Sequence, residues 1–124
     1  MPTKSQSKPQ AGTSPAPALA PYRVLDLTTA EGWLCGALLA DLGADVVKVE
    51  PPGGDPGRAI GPFAGDRATD PDASLAWWFG NRGKRSVVID TGAAAGRERL
   101  DRLIERADVV LESPGEAGRT ARLV

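Results

Sequence analysis

The chain has 124 residues, with 15 basic and 16 acidic side chains, no histidine and one cysteine. A net charge of −1 provides no global field to attract nucleic acid or an anionic membrane. The absence of histidine excludes Ser-His-Asp and Cys-His catalysis, and imidazole zinc sites, within the chain.

Residues 1–21 are rich in Pro, Ala, Ser, Gln and Thr and hold no aromatic or β-branched aliphatic residue. Such a segment buries too little apolar surface to offset its ordering entropy, so it is expected to be a disordered tail. Its weak apolar patch, Ala16 to Ala20, is broken by Pro17 and is no signal-peptide core. No stretch reaches the ~20 apolar residues of a membrane helix. Together with the lone Cys35, which forms no intrachain disulfide, this makes a cytoplasmic location the expectation.

From Tyr22 the pattern changes. Tyr22 to Leu27 predicts a strand, and Thr28 to Gly32 a turn in which Thr28 or Thr29 caps the next helix. That helix is expected to run to about Leu42. Leu34, Cys35, Leu38, Leu39 and Leu42 recur at helical spacing and predict its buried face, with Cys35 an inert buried thiol. Gly43 is the expected stop. Ala44 to Glu50, with three valines, predicts a second strand ended by Pro51 and Pro52. Strand, helix, strand is a βαβ unit, so the two strands are expected to be parallel.

Residues 51–73 are crowded with Gly and Pro and are expected to have no regular element. Ser74 to Phe79 predicts one helical turn that buries Trp77, Trp78 and Phe79. Asn81 to Arg85 forms a basic turn. Lys84 and Arg85 read there as solvated charges, with a salt bridge or phosphate contact as the alternative. Ser86 to Asp90 predicts a third strand. Ala94 to Arg106 predicts a helix with Leu100, Leu103, Ile104 and Ala107 inward, and Ala107 to Glu112 a fourth strand. Ser113 to Gly115 breaks that strand. The alternation predicts an α/β, Rossmann-like, mostly parallel sheet with flanking helices over residues 22–124.

Ligands in such sheets sit beyond the carboxyl ends of the strands. Those ends are Thr28 to Gly32, Glu50 to Arg58, Asp90 to Gly92, and Glu112 to Gly115. The first turn lacks G-x-G-x-x-G, which argues against a dinucleotide site. Gly83 to Ser86 is no phosphate loop, because Trp78 stands where its first glycine belongs and a strand follows. Asp70 and Asp72, and Glu112 and Glu116, read as loop charges.

The strings Tyr22 to Leu27, Leu38 to Pro56, Asn81 to Ser86 and Ala107 to Glu112 resemble, in the same order, the opening of family III CoA-transferases. This is the CaiB/BaiF family, which includes formyl-CoA transferase and the α-methylacyl-CoA racemases. The resemblance implies only the N-terminal part of a Rossmann-like large domain. It implies an enzyme that moves CoA between carboxylic acids through an acyl-aspartyl anhydride, a form of covalent catalysis. Acyl-CoA and carboxylic acid would be the substrates, with coenzyme A a substrate and no covalently bound cofactor. Two full-length subunits would interlock as a homodimer. No aspartate here matches the family nucleophile, which follows a later E-N-F-x-P-G turn, so no catalytic residue is assigned and the chain alone is expected to be inactive. An acyl-CoA racemase and a degenerate non-catalytic homologue are the alternatives.

The resemblance carries CoA contacts onto Thr29, Ala30 and Glu31 in the first turn, Ile89 after the third strand, and Ser113 in place of the family asparagine. The family arginine after the second-strand glutamate is replaced by Pro51, and Arg58 is the candidate substitute. The first turn lacks the family Gly-Pro pair, and the fourth-strand turn lacks Asn-Phe. These departures imply weakened or altered CoA binding.

Overall fold

The computed structural model describes residues 14–67 and 69–113. Most of the segment expected to be a tail, residues 1–13, and the last turn from Pro114 onward lie outside the described residues. Within that segment, the Leu19 N–H donates to the Leu42 carbonyl at 3.1 Å, and its side chain packs against Val24, Ala44 and Val46.

Four strands form one parallel sheet: β1 (Arg23–Asp26), β2 (Asp45–Glu50), β3 (Arg85–Val88) and β4 (Val109–Leu111), in spatial order β3-β2-β1-β4. Arg23 pairs with Asp45, Val24 with Val109, and Val47 with Arg85. Between them run α1 (Trp33–Asp41), α2 (Leu75–Asn81) and α3 (Ala94–Ile104). The expected α/β parallel layering is therefore present.

Strand periodicity divides the interior in two. Leu25, Leu27 and Val49 pack with Ile89 and with Leu100 and Ile104 of α3. The alternate residues, Val24 and Val46, pack with Leu39 and Ala40 of α1. Asp26, Lys48 and Glu50 share that second phase, so the strands carry three charged side chains into the layer under α1 and α2. All three are buried.

The inward face of α1 differs from the expected one. Leu34, Leu38 and Leu42 are about half exposed and Cys35 is exposed, while Trp33, Gly36 and Ala37 are buried. Of the predicted set, only Leu39 packs partly inward. The reason is steric. A Cβ on Gly36 would overlap Asp26 Oδ2 and crowd the Lys84 side chain, so α1 lies over a buried ion pair with its smallest residues. Hydrophobic spacing identified the helix, and the space over the ion pair set its rotation. At the far end, Gly43 adopts φ +98°, and its N–H donates to the Ala40 carbonyl. This is a left-handed helix stop that glycine takes without a Cβ penalty.

The expected threonine caps are also absent. Gly32 occupies the cap position of α1, and no side chain bonds there, because the Thr28 hydroxyl donates to Asp26 Oδ1 at 2.6 Å. Ser74 caps α2 by accepting from the Trp77 N–H at 3.0 Å. Of the three aromatic residues of α2 only Trp77 is buried, whereas Trp78 and Phe79 are exposed. Residues 51–73 are more ordered than expected. They hold a 3₁₀ turn, Pro56–Ala59, started by the Asp55 carboxylate accepting from the Gly57 N–H at 2.8 Å. A bridge between Phe63 and Ser74 closes the segment. Asp70 and Asp72, expected to be unpaired loop charges, meet Arg67 and Arg58 respectively. No helix among the described residues is long and apolar enough to cross a membrane.

Candidate functional site

All four strands of a parallel sheet deliver their C-terminal ends to one edge. A cavity of about 500 Å³ opens at that edge. Its walls are the turn after β1 (Thr28, Thr29, Ala30), the segment after β2 (Glu50 to Gly57 in part) and the start of the β3–α3 turn (Ile89, Thr91), with Lys48 between them. Three of the four segments expected from topology therefore line it. The fourth reaches it through Ser113, which is buried and whose Oγ accepts from the Thr29 N–H at 2.8 Å and from the Thr29 hydroxyl at 2.9 Å.

Of the residues carried over by resemblance, Thr29, Ala30 and Ile89 line the cavity, and Ser113 holds Thr29 in place. Glu31 is exposed in the same turn and is not part of the lining. Arg58 is drawn aside. Its guanidinium grips Glu50 with two bonds, Nε to Oε2 at 2.7 Å and Nη2 to Oε1 at 2.9 Å. It also bonds Asp72 at 2.8 Å and lies 4.3 Å from the centre of the Trp77 ring. A bidentate guanidinium–carboxylate pair stacked on an aromatic ring is geometrically committed.

Glu50 repays that commitment. Its carboxylate also accepts from the Ser86 hydroxyl and from the Asp55 N–H at 3.0 Å. The Arg58 bonds act first, with these two adding to them, and together they hold the carboxyl down at about 2 against desolvation. The folded value lies below the ordinary 4.5. The resulting stabilisation is therefore fully present above pH 4.5 and is lost as pH falls from there through about 2. The full loss from this group is of order 3 kcal/mol, of which about 2 kcal/mol is lost by pH 3. Urea unfolding at pH 6 and pH 3 checks it. Glu50→Gln is expected to flatten the difference between the two pH values, and an unchanged difference would refute this role for Glu50.

Three charges lie beneath the cavity, and no sequence motif marks Asp26 or Lys48 among them. Asp26 is fully buried and accepts from the Thr28 N–H at 2.9 Å. Lys84, its side chain 1 % exposed, donates from Nζ to Asp26 Oδ2 at 2.6 Å, the Trp33 carbonyl at 2.8 Å and Asn81 Oδ1 at 2.9 Å. Burial pushes the Lys84 ammonium below its ordinary range, and Asp26 opposes that shift. Both basic residues therefore take the salt-bridge alternative: Lys84 is buried against Asp26, and Arg85 pairs with Asp45 at 2.6 Å on the exposed surface. Lys48 is 2 % exposed. Its Nζ donates to the Thr28 carbonyl and lies 3.4 Å from Asp55 Oδ2 and 3.9 Å from Asp26 Oδ1. One signal was available in the sequence: a lysine and a glutamate inside a valine-rich strand covered on both faces have to be buried, and buried charges need partners.

Comparison with known proteins follows the same lines. Residues 19–123 match the family model described as CoA-transferase family III. The chain is 51% identical over 98 residues to a succinyl-CoA:mesaconate CoA-transferase of Haloarcula hispanica, covering 77% of this chain and 24% of that protein. It is 40% identical over 116 residues to a probable fatty acyl-CoA transferase of Mycobacterium tuberculosis, covering 91% of this chain and 26% of that one. The crystal structure of a CAIB/BAIF family protein from Brucella suis superposes with a TM-score of 0.73 at 38% identity, over 84% of this chain and 28% of that chain. The chain spans about a quarter of the length of the curated relatives it matches.

Proposed function

The chain belongs to CoA-transferase family III, and from that premise we propose that it supplies the CoA-facing edge of an enzyme that moves CoA between carboxylic acids. The observation that carries this reading is the cavity at the C-terminal edge of the sheet, walled by Thr28 to Ala30, Glu50 to Gly57, and Ile89 with Thr91. In this reading Thr29, Ala30 and Ile89 contact CoA, and Ser113 fixes the Thr29 backbone. Glu31 and Arg58 contribute only if their side chains turn toward the ligand. The matched relatives are named for different acyl groups, mesaconate in one and fatty acyl in another, so the proposal stays with acyl-CoA and carboxylic acid as classes.

The chemistry proposed for the whole enzyme uses an aspartate carboxylate outside this chain. It attacks the thioester carbonyl, the C–S bond breaks, and CoA leaves as thiolate. The thiolate returns to the aspartyl carbonyl of the mixed anhydride so formed, the donor acid leaves as carboxylate, and an aspartyl-CoA thioester remains. The acceptor carboxylate attacks that thioester, expelling thiolate and forming a second anhydride. The thiolate then attacks its acceptor-side carbonyl to give the new acyl-CoA and the free aspartate. The cytoplasm is the proposed compartment and a homodimer the proposed assembly. Exposed Leu34 and Leu38 on α1, Leu42 at its C-cap, and Trp78 and Phe79 on α2, which packs against α1, support a unit that other structure covers.

One observation favours a second reading, a homologue that kept the sheet but binds CoA weakly. Pro51 replaces the family arginine, and the nearest substitute, Arg58, is held by Glu50 and Asp72. Calorimetric titration of the purified chain with CoA separates the two. Saturable binding that is lost in Ala30→Trp, with no CoA exchange between an acyl-CoA and a free acid, is the expected result. A folded chain that shows no heat of binding would sink the first reading and leave the second.

A further inference from the structure

We propose that Lys48 is a positioning residue that holds the two walls of the cavity at a fixed separation. Every link is polar; Thr28, Lys48 and Gly57 are buried and Asp55 is partly buried. The Thr28 carbonyl, in the wall after β1, accepts from Lys48 Nζ. On the other side Lys48 Nζ lies 3.4 Å from Asp55 Oδ2. The other oxygen of the same carboxylate, Oδ1, accepts from the Gly57 N–H at 2.8 Å, and Gly57 lines the opposite wall. The chain of contacts therefore runs Thr28 carbonyl, Lys48 ammonium, Asp55 carboxylate, Gly57 amide, across the cavity floor. Asp26, 3.9 Å from the same nitrogen, supplies the second counter-charge.

Lys48 Nζ donates to one main-chain carbonyl and has two carboxylates at ion-pair distance, so its charge is already met by the protein's own groups. Its effect on a ligand is exerted through the walls. Ser113 restrains the Thr28–Ala30 turn from β4 and Lys48 restrains it from β2, which leaves the turn little freedom to spread. Pre-setting a wall in this way removes an ordering cost that a ligand would otherwise meet. Where the ligand is CoA, this rests on the function proposed above.

Two variants and three readouts test it. Asp55→Asn keeps an oxygen for the Gly57 amide and removes the carboxylate facing Lys48. It is expected to weaken CoA binding about tenfold or more, as expected for losing a charge-assisted link, and to lower the thermal midpoint by several degrees, because Lys48 loses one of its two carboxylates. Amide exchange at Gly57 should quicken, while exchange at Val46 and Leu25 should not. Lys48→Met is expected to quicken exchange at both Thr29 and Gly57. Unchanged exchange at Gly57 in Asp55→Asn, or a uniform rise across the sheet in both variants, overturns the proposal. If the unmodified chain binds no CoA while local exchange changes as described, the CoA reading fails and the wall-holding role of Lys48 stands.

Discussion

Replacing Asp26 with asparagine is expected to lower unfolding stability by about 3–5 kcal/mol, the range for removing one partner of a buried ion pair. Asp26 is 0 % exposed and is the only carboxylate within bonding range of Lys84 among the described contacts. Asparagine still accepts from Thr28, but the Lys84 ammonium would then sit beneath α1 with only the Trp33 carbonyl and Asn81 Oδ1 as partners. Lys48 would lose a counter-charge as well. Lys84→Met alone should be similarly costly, because among the described contacts it leaves Lys48, at 3.9 Å, as the one cation near the Asp26 carboxylate. The double variant, Asp26→Leu with Lys84→Met, should recover much of the loss, since an apolar pair of similar volume needs no desolvation. Urea denaturation of the unmodified chain, Asp26→Leu, Lys84→Met and the double variant measures the cycle, with Asp26→Asn as the separate isosteric change. A loss below about 1 kcal/mol for Asp26→Asn would place the pair among weak surface contacts and contradict its burial.

Gly57→Ala is expected to be the second large effect, destabilising by about 1–3 kcal/mol as overpacking does. A Cβ on Gly57 would overlap Cη2 and Cζ2 of the Trp33 ring. That ring has little room to retreat. It is buried, meets Trp77 edge-on at 5.2 Å between centroids, and presses on Gly80, whose own Cβ would fall 2.9 Å from Trp33 Cε3. Its indole Nε1 is buried without a hydrogen-bond partner among the described residues, so the ring is held there by shape. Because Gly57 lines the cavity, the same substitution should also displace the wall that Asp55 anchors. Adding Trp33→Leu gives the new methyl space. The double variant should therefore be more stable than the sum of the two single losses, and strict additivity would show that the two residues do not share the space.

Much of the framework was legible along the chain. The valine-rich run from Val46 to Val49 and the apolar run at Leu25 become neighbouring parallel strands. The Leu100 and Ile104 spacing matches the inward face of α3. The edge where Thr29, Ala30 and Ile89 meet was expected from strand order alone. The rotation of α1 was not legible. Its leucine spacing is regular, yet Leu34, Leu38 and Leu42 face outward, because the inward side must clear Asp26 and Lys84. Arg58 was proposed as a ligand contact from its position, whereas its partners Glu50 and Asp72 are 8 and 14 residues away.

The amino-acid order by itself determined which segments are strands and helices, that the strands run parallel, and therefore which edge carries a cavity. These properties follow from local periodicity and from short connections, both of which are written consecutively. Only the tertiary structure decided which charges are buried together. Asp26 and Lys84 are 58 positions apart and Lys48 and Thr28 are 20 apart. Nothing local to either residue of such a pair names the other. A buried charge is stable only beside a partner that folding brings to it.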